Sequence, residues 1–411
     1  KMKQINNNQN FTYCMFFIAC MWIILLFVDP TTQMHVFFLR VGDFFADFFN
    51  TLIYIADKDP YFNELNGTLN KNYLPFAYLI LYPFTRMTNY SGITLSDCWE
   101  NGTALVSGFL FMLLSLYVFF HSLYLLCKKN GCNAAMALFI IFFSAANLYA
   151  LERGNQILLS AACINYFLLF KDGKNGRWIA AICLAIASVL KVFPAVFCLY
   201  YLCAKSYKLL FYYIFICFLL ALLPFCFFEG GFDNIGQLYN NVIAQTAAYG
   251  QDSSVYRYGI IPLLLQIDEK LQLEHKLLFY SIGKYMTYFL GGYTLFLSVK
   301  IHSSFIKIAL LSMFCCLFPQ QAFAYNVIYL FPIFIGLQPF VVESKKNVPR
   351  TLFLVSFLFI IIFFPIQMPS SINVATHVIN NVGAILLWLV LLVMATREAL
   401  FAKKANTKIL V

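Results

Sequence analysis

Charge is scarce in this sequence. Asp, Glu, Lys and Arg supply only 11% of its 411 residues while 62% are hydrophobic, and the mean hydropathy is +0.76. A soluble chain of this length cannot hide so much apolar surface, which excludes an ordinary water-soluble fold and requires a bilayer as solvent. Metal and nucleotide signatures are lacking too. The five histidines, His35, His121, His275, His302 and His377, are scattered with no pair at ligand spacing, and no glycine-rich phosphate loop opens a helix. No ATP site and no cofactor are therefore expected; a divalent cation is compatible with the sequence, but no dedicated site for one can be placed. Of the 13 cysteines nearly all lie inside apolar runs, among them Cys14, Cys20, Cys163, Cys183, Cys315 and Cys316; only Cys98 sits in a large polar loop. That distribution argues against a disulfide framework. There is no fixed repeat period and no similarity between halves of the kind inverted-repeat transporters carry.

What is present is a succession of apolar runs, at 11–28, 104–127, 134–150, 156–170, 177–190, 193–204, 209–227, 277–298, 304–318, 325–341, 351–367 and 377–396. Several fall short of the roughly 20 residues that a perpendicular helix needs, so some must be partial spans packed against neighbours. The expected fold is all-α: a polytopic transmembrane helical bundle of about 11–13 spans forming one integral membrane domain over 1–411. Lys1 and Lys3 before Phe11–Val28 imitate a signal peptide, but no small-residue cleavage site follows, which predicts a retained first span.

The net charge of +10 resides largely in short loops, where it sets topology rather than a nucleic-acid surface. With both termini cytosolic, the basic clusters Lys128–Lys129, Lys171 to Arg177, Lys205 to Lys208, Lys345 to Arg350 and Arg397 to Lys408 all fall inside. The same alternation puts two long segments outside, 29–103 and about 228–276, and these hold most of the acidic residues. Within the first, Tyr73 to Phe84 is apolar but short and carries Pro75 and Pro83, as suits an interfacial or re-entrant helix. Three sequons, at Asn66, Asn89 and Asn101, share this loop; glycans there would require a eukaryotic endoplasmic reticulum, whereas the Asn-, Lys-, Phe- and Ile-rich composition favours a low-GC bacterial plasma membrane.

Polar residues near the expected outer face are the candidates for chemistry. Asp43 and Asp47 lie four apart in the aromatic stretch Arg40 to Asn50, where one helix face would hold both. A carboxylate among rings at the boundary is costly to ionise, and a raised pKa would suit a general base; a plain helix start is the bland alternative. Lys191, with apolar Ile182–Leu190 before it and Val192–Tyr201 after, is the sharpest anomaly. It would meet a lipid phosphate or snorkel. Arg153, in the tight connection Glu152-Arg153-Gly154-Asn155-Gln156, would hold a phosphate or pair with Glu152. Gln251, Asp252, Ser253 and Arg257 form a polar patch of the second outer loop, suited to sugar hydroxyls.

Taken in order, these residues resemble the glycosyltransferase-C superfamily, and within it the polyprenol-phosphate-mannose-dependent mannosyltransferases such as the phosphatidylinositol-mannoside enzymes. The resemblance rests on Asp43 followed by Pro60-Tyr61, on Tyr73-Leu74-Pro75, on Gly154-Asn155-Gln156, and on Gly176-Arg177, Ala180–Ala187, Lys191 and Pro194, the last block being the most specific. It implies a hexose, mannose favoured, transferred with inversion from a polyprenyl-phosphate donor to a lipid or glycan acceptor. It also implies Asp43, then Asp47, as base; Lys191, Arg153, Arg257 and Arg40 around the donor phosphate; and Tyr61, Tyr73, Asn155, Gln156, Gln251 to Ser253 and Tyr325 around substrate. One departure stands out. Where that branch tends to place a histidine after Ser-Pro, this chain reads Phe318-Pro319-Gln320-Gln321-Ala322-Phe323-Ala324-Tyr325, with no histidine nearby in sequence. The rival readings are a transporter or lipid-linked-oligosaccharide flippase, which should carry its charges near mid-membrane, a polysaccharide polymerase or ligase, and a non-catalytic assembly subunit.

Overall fold

A computed structural model describes residues 2–35, 44–62, 71–250, 256–343, 348–366 and 376–401. Among them the regular elements are helices, with a single isolated antiparallel bridge, Arg257 to Phe323. The all-α expectation holds. Three helices are long and apolar enough to cross a bilayer, Gly102–Asn130, Tyr207–Phe227 and Thr376–Phe401, or four if the bent pair Ala134–Phe142 and Ala145–Arg153 is one broken span. Many expected runs form shorter apolar helices, including Tyr13–Val28, Ile157–Phe170, Arg177–Leu190 and Ser304–Leu317.

Local chemistry explains where the runs break. The 134–150 run bends by 58°. There the Ser144 hydroxyl donates to the Ile141 carbonyl at 2.7 Å and the Asn147 amide to that of Phe142 at 2.9 Å, so carbonyls released from the helix ladder are satisfied by side chains. The 193–204 run opens as a 3-10 helix, Phe193–Cys198, with Pro194 in its first turn, before the short α-helix Leu199–Cys203. Tyr73 to Phe84 forms two short helices, Pro75–Leu79 and Tyr82–Arg86, each with proline in its first turn.

The chain divides into two compact units, Phe38–Ser122 with Ala150–Gly250, and Lys1–Phe37 with Leu123–Tyr149 and Gln251–Val411. In the first, Ile157–Phe170 and Arg177–Leu190 pack closely because Ala161, Ala162, Ala180, Ala181, Ala185 and Ala187 are all buried and let the backbones approach. The Ser160 hydroxyl donates across that seam to the Ala187 carbonyl. Their connection is fastened where Lys171 donates to Asp172 and to the Tyr200 hydroxyl, which itself donates to Asp172 at 2.6 Å.

The second unit is built around Ser304–Leu317, buried along nearly its whole length. Its first turn receives the Glu398 carboxylate, which accepts from the His302 and Ser303 amides at 2.8 and 2.7 Å, a favourable anion at a helix N-terminus. Buried asparagines replace water: Asn380 donates to the carbonyls of Ile361, Ile362 and Phe364, where the helix Val348–Phe363 ends, and Asn381 grips both the amide and the carbonyl of Gly259.

Candidate active site

In the Phe38–Ser122/Ala150–Gly250 unit, the helix Ala46–Ile55 begins after Phe45, whose backbone is left-handed at φ 53°. Phe45 is fixed from two sides. A Cβ at Gly108 would stand 2.6 Å from its ring, and a Cβ at Gly154 3.2 Å from its ring and 3.0 Å from Phe48 Cβ. Gly154 also has φ +63°, a conformation glycine adopts without strain. The Phe45 amide donates to the Glu152 carbonyl at 2.6 Å. These contacts hold the first turn of one helix against the connection 152–156, and Asp47 lies in that turn.

The Asp47 carboxylate is met on both oxygens. Arg153 donates to Oδ1 from Nε at 3.1 Å and from Nη2 at 2.5 Å, and Asn155 donates to Oδ2 at 2.5 Å. Asn155 is buried and its own carbonyl oxygen accepts from the Ile157 amide at 2.9 Å, so one side chain opens the next helix and orients the carboxylate. Lys191 follows the last residue of Arg177–Leu190; its amine lies 3.2 Å from the Tyr73 hydroxyl and 4.6 Å from that ring's centre. The loop bearing Tyr73 is secured by the Tyr61 hydroxyl, which donates to the Tyr73 carbonyl at 2.9 Å.

Burial is the largest influence on Asp47 and pushes its pKa up, but the charge and hydrogen bonds of Arg153, the hydrogen bond of Asn155 and the charge of Lys191 together outweigh it. The carboxyl sits below its usual value. The expectation of a raised pKa is corrected for this residue: aromatic rings surround the stretch, yet two cations and an amide face the carboxylate. Burial pulls Lys191 down to about 8 against the opposing pull of Asp47. Burial, then the charge of Asp47, pushes the Tyr73 hydroxyl up, and burial does the same to Tyr61. An ionised carboxylate thus holds a guanidinium in place beside an ammonium whose proton is easily lost.

Of the other expected site residues, Asp43, Arg40, Gln251, Asp252 and Ser253 lie outside the described residues. Gln156 is buried at the start of Ile157–Phe170, its side-chain oxygen without a hydrogen-bond partner among the described residues. Arg257 and Tyr325 belong to the other unit. Arg257 is buried and donates to the Gln320 carbonyl at 2.7 Å. Tyr325 stacks on Tyr149 at 5.5 Å, Tyr149 stacks on Tyr256 at 5.2 Å, and His377 packs against both Tyr149 and Tyr256, at 5.6 and 5.0 Å. Sequence reasoning passed over His377 because more than fifty residues separate it from Tyr325. Its signal was a histidine at the head of an apolar run.

Residues 72–257 match the model of glycosyltransferase family 87. No curated protein matches the chain. The matched segment contains Tyr73, Arg153, Asn155, Gln156, Lys191 and Arg257, and begins after Asp47 and Tyr61. Over those residues, fewer than half of the chain, the sequence is similar to a family of membrane glycosyltransferases, and the long apolar helices agree with a membrane setting.

Proposed function

We propose that the protein transfers a hexose, mannose favoured, from a polyprenyl-phosphate donor to a lipid or glycan acceptor at the non-cytosolic face, with both termini in the cytosol. The observation that carries the reading is the convergence of Arg153, Lys191, Asn155 and Tyr73 on Asp47 in and beside the matched segment. Arg153 and Lys191 both act on this carboxylate, and both are cations of the kind a phosphate requires. A lipid-linked sugar needs no nucleotide site, but its phosphate must be met by fixed cations at the membrane boundary.

In the reaction an acceptor hydroxyl attacks the anomeric carbon, its oxygen forms the new glycosidic bond, and the bond to the phosphate oxygen breaks with inversion. Polyprenyl phosphate leaves with the electron pair, and the hydroxyl proton passes to a carboxylate. Asp43 takes that proton in this scheme. Asp47, ionised and engaged on both oxygens, holds Arg153 toward the departing phosphate.

The test is transfer by purified protein in detergent, with polyprenyl-phosphate mannose or glucose and a panel of acceptors. Loss of transfer in folded Asp43→Asn with donor binding retained, and loss of donor binding in Lys191→Ala, support the scheme. Full transfer by Asp43→Asn moves the base elsewhere; no transfer by the wild type with any donor points to a transporter or flippase.

A further inference from the structure

The helix Asn234–Gly250 is folded inside out relative to a water-facing helix. Its polar residues Asn234, Gln237, Asn241 and Gln245, at helical spacing, are buried or half-buried, whereas Ile235, Tyr239, Val242 and Ile243 are exposed, Tyr239 at 67%, with Asn240 the one exposed amide side chain among them. Seventeen residues pass without one Asp, Glu, Lys or Arg. The buried side is used: Asn234 donates to the Glu229 and Gly231 carbonyls, and Asn241 to those of Tyr61 and Lys71. A chargeless helix with its apolar stripe outward has no stable place in bulk water.

Its neighbour in the chain points to what covers it. Tyr207–Phe227 is a candidate span with only 22% of its apolar window buried, exposing Phe211, Phe215 and Phe218 as a lipid-facing side. Only residues 228–233 separate that span from the helix, a reach of at most about 20 Å, and they carry exposed Phe232. The short linker, which also carries exposed Glu229 and Asp233, keeps the apolar stripe close to the end of that span, as a helix at the membrane boundary would be.

We propose that Asn234–Gly250 is an interfacial helix, lying along the bilayer surface with Ile235, Tyr239, Val242 and Ile243 among the lipid headgroups and upper acyl chains. Tyrosine in such a stripe suits the headgroup level, where its ring and hydroxyl find different surroundings. Through Asn241 the helix holds the ends of the segment between Tyr61 and Lys71, and Tyr61 in turn holds Tyr73, so the lipid surface sets the height of the loop that meets Lys191. The contact with lipid stands independently of the sugar chemistry.

The experiment places a tryptophan on the stripe. Full-length Tyr239→Trp, and Ile243→Trp as a second variant, are reconstituted into phosphatidylcholine bilayers brominated either near the head or near the end of the acyl chain. Protein with only its four native tryptophans gives the background, and Phe218→Trp in the span is the lipid-exposed control. The expected result is that the added tryptophans lose most of their emission to bromines near the head, less to deep bromines, and little to acrylamide from the water. Quenching by acrylamide without bromolipid quenching would put the stripe in water and overturn the proposal. Protection from both quenchers would mean that a second copy or another protein covers it, and would overturn it equally.

Discussion

Replacing Asp47 by asparagine removes one charge and almost no volume, and leaves Arg153 and Lys191 facing an amide. Taking one partner from a buried ion pair costs about 3–5 kcal/mol. Here the Asp47 and Arg153 side chains keep 17% and 20% of their exposure, which moves the expected loss to the lower end, about 3 kcal/mol. A phosphate bound in the same place would supply the missing negative charge. Polyprenyl phosphate, the leaving product of the proposed reaction, should therefore stabilise Asp47→Asn more than the wild type; a ligand at a hundredfold excess over Kd adds about 2.7 kcal/mol. The assay is thermal unfolding in detergent, each protein with and without polyprenyl phosphate. Equal stability of the two proteins without ligand would refute the ion-pair reasoning. A smaller ligand gain in the variant would refute the assignment of Arg153 and Lys191 to the phosphate.

Burial draws the Lys191 pKa from 10.5 down to about 8, so the amine is charged below that pH and neutral above it, and kcat/KM for the donor should fall as pH rises through about 8. Lys191→Arg keeps the charge and should flatten that limb, whereas Asp47→Asn removes an opposing influence and should move it to lower pH; a pH profile of the three proteins checks both. The unfolded chain keeps the Lys191 proton up to its ordinary value, so this residue's contribution to stability rises between about pH 8 and 10.5, which unfolding midpoints across that window should register. Gly154→Ala places a Cβ against Phe48 and Phe45 at φ +63°, with an expected loss of about 1–3 kcal/mol in unfolding and reduced transfer as Arg153 is displaced from Asp47. Asn381→Ala strips the buried Gly259 amide and carbonyl of their partner and should cost about 2–3 kcal/mol in thermal unfolding, leaving the pH profile of transfer unchanged.

Composition alone determined that this chain is helical and lives in a membrane, because so apolar a sequence has no other solvent and only closed helical hydrogen bonding suits its long apolar runs. Local pattern also singled out Lys191, an isolated charge between apolar stretches, and the Gly154-Asn155-Gln156 turn, since both are anomalies visible within a few residues. It did not reveal where the runs break, because the carbonyls freed at Phe142 or Ile361 are satisfied by Asn147 and Asn380 through contacts that no hydropathy window registers. Nor did it reveal the state of Asp47. Among aromatic neighbours in sequence it reads as a carboxylate that resists ionisation; more than a hundred residues later in the chain lie Arg153 and Asn155, and the packing of Phe45 between Gly108 and Gly154 brings them onto it. The same holds for His377 beside Tyr256, and for a chargeless helix that turns Asn234 and Asn241 inward. Hydrophobicity is summed along the chain and is legible there, whereas a pKa and a contact depend on what folding places a few ångströms away, and only the tertiary structure decided that.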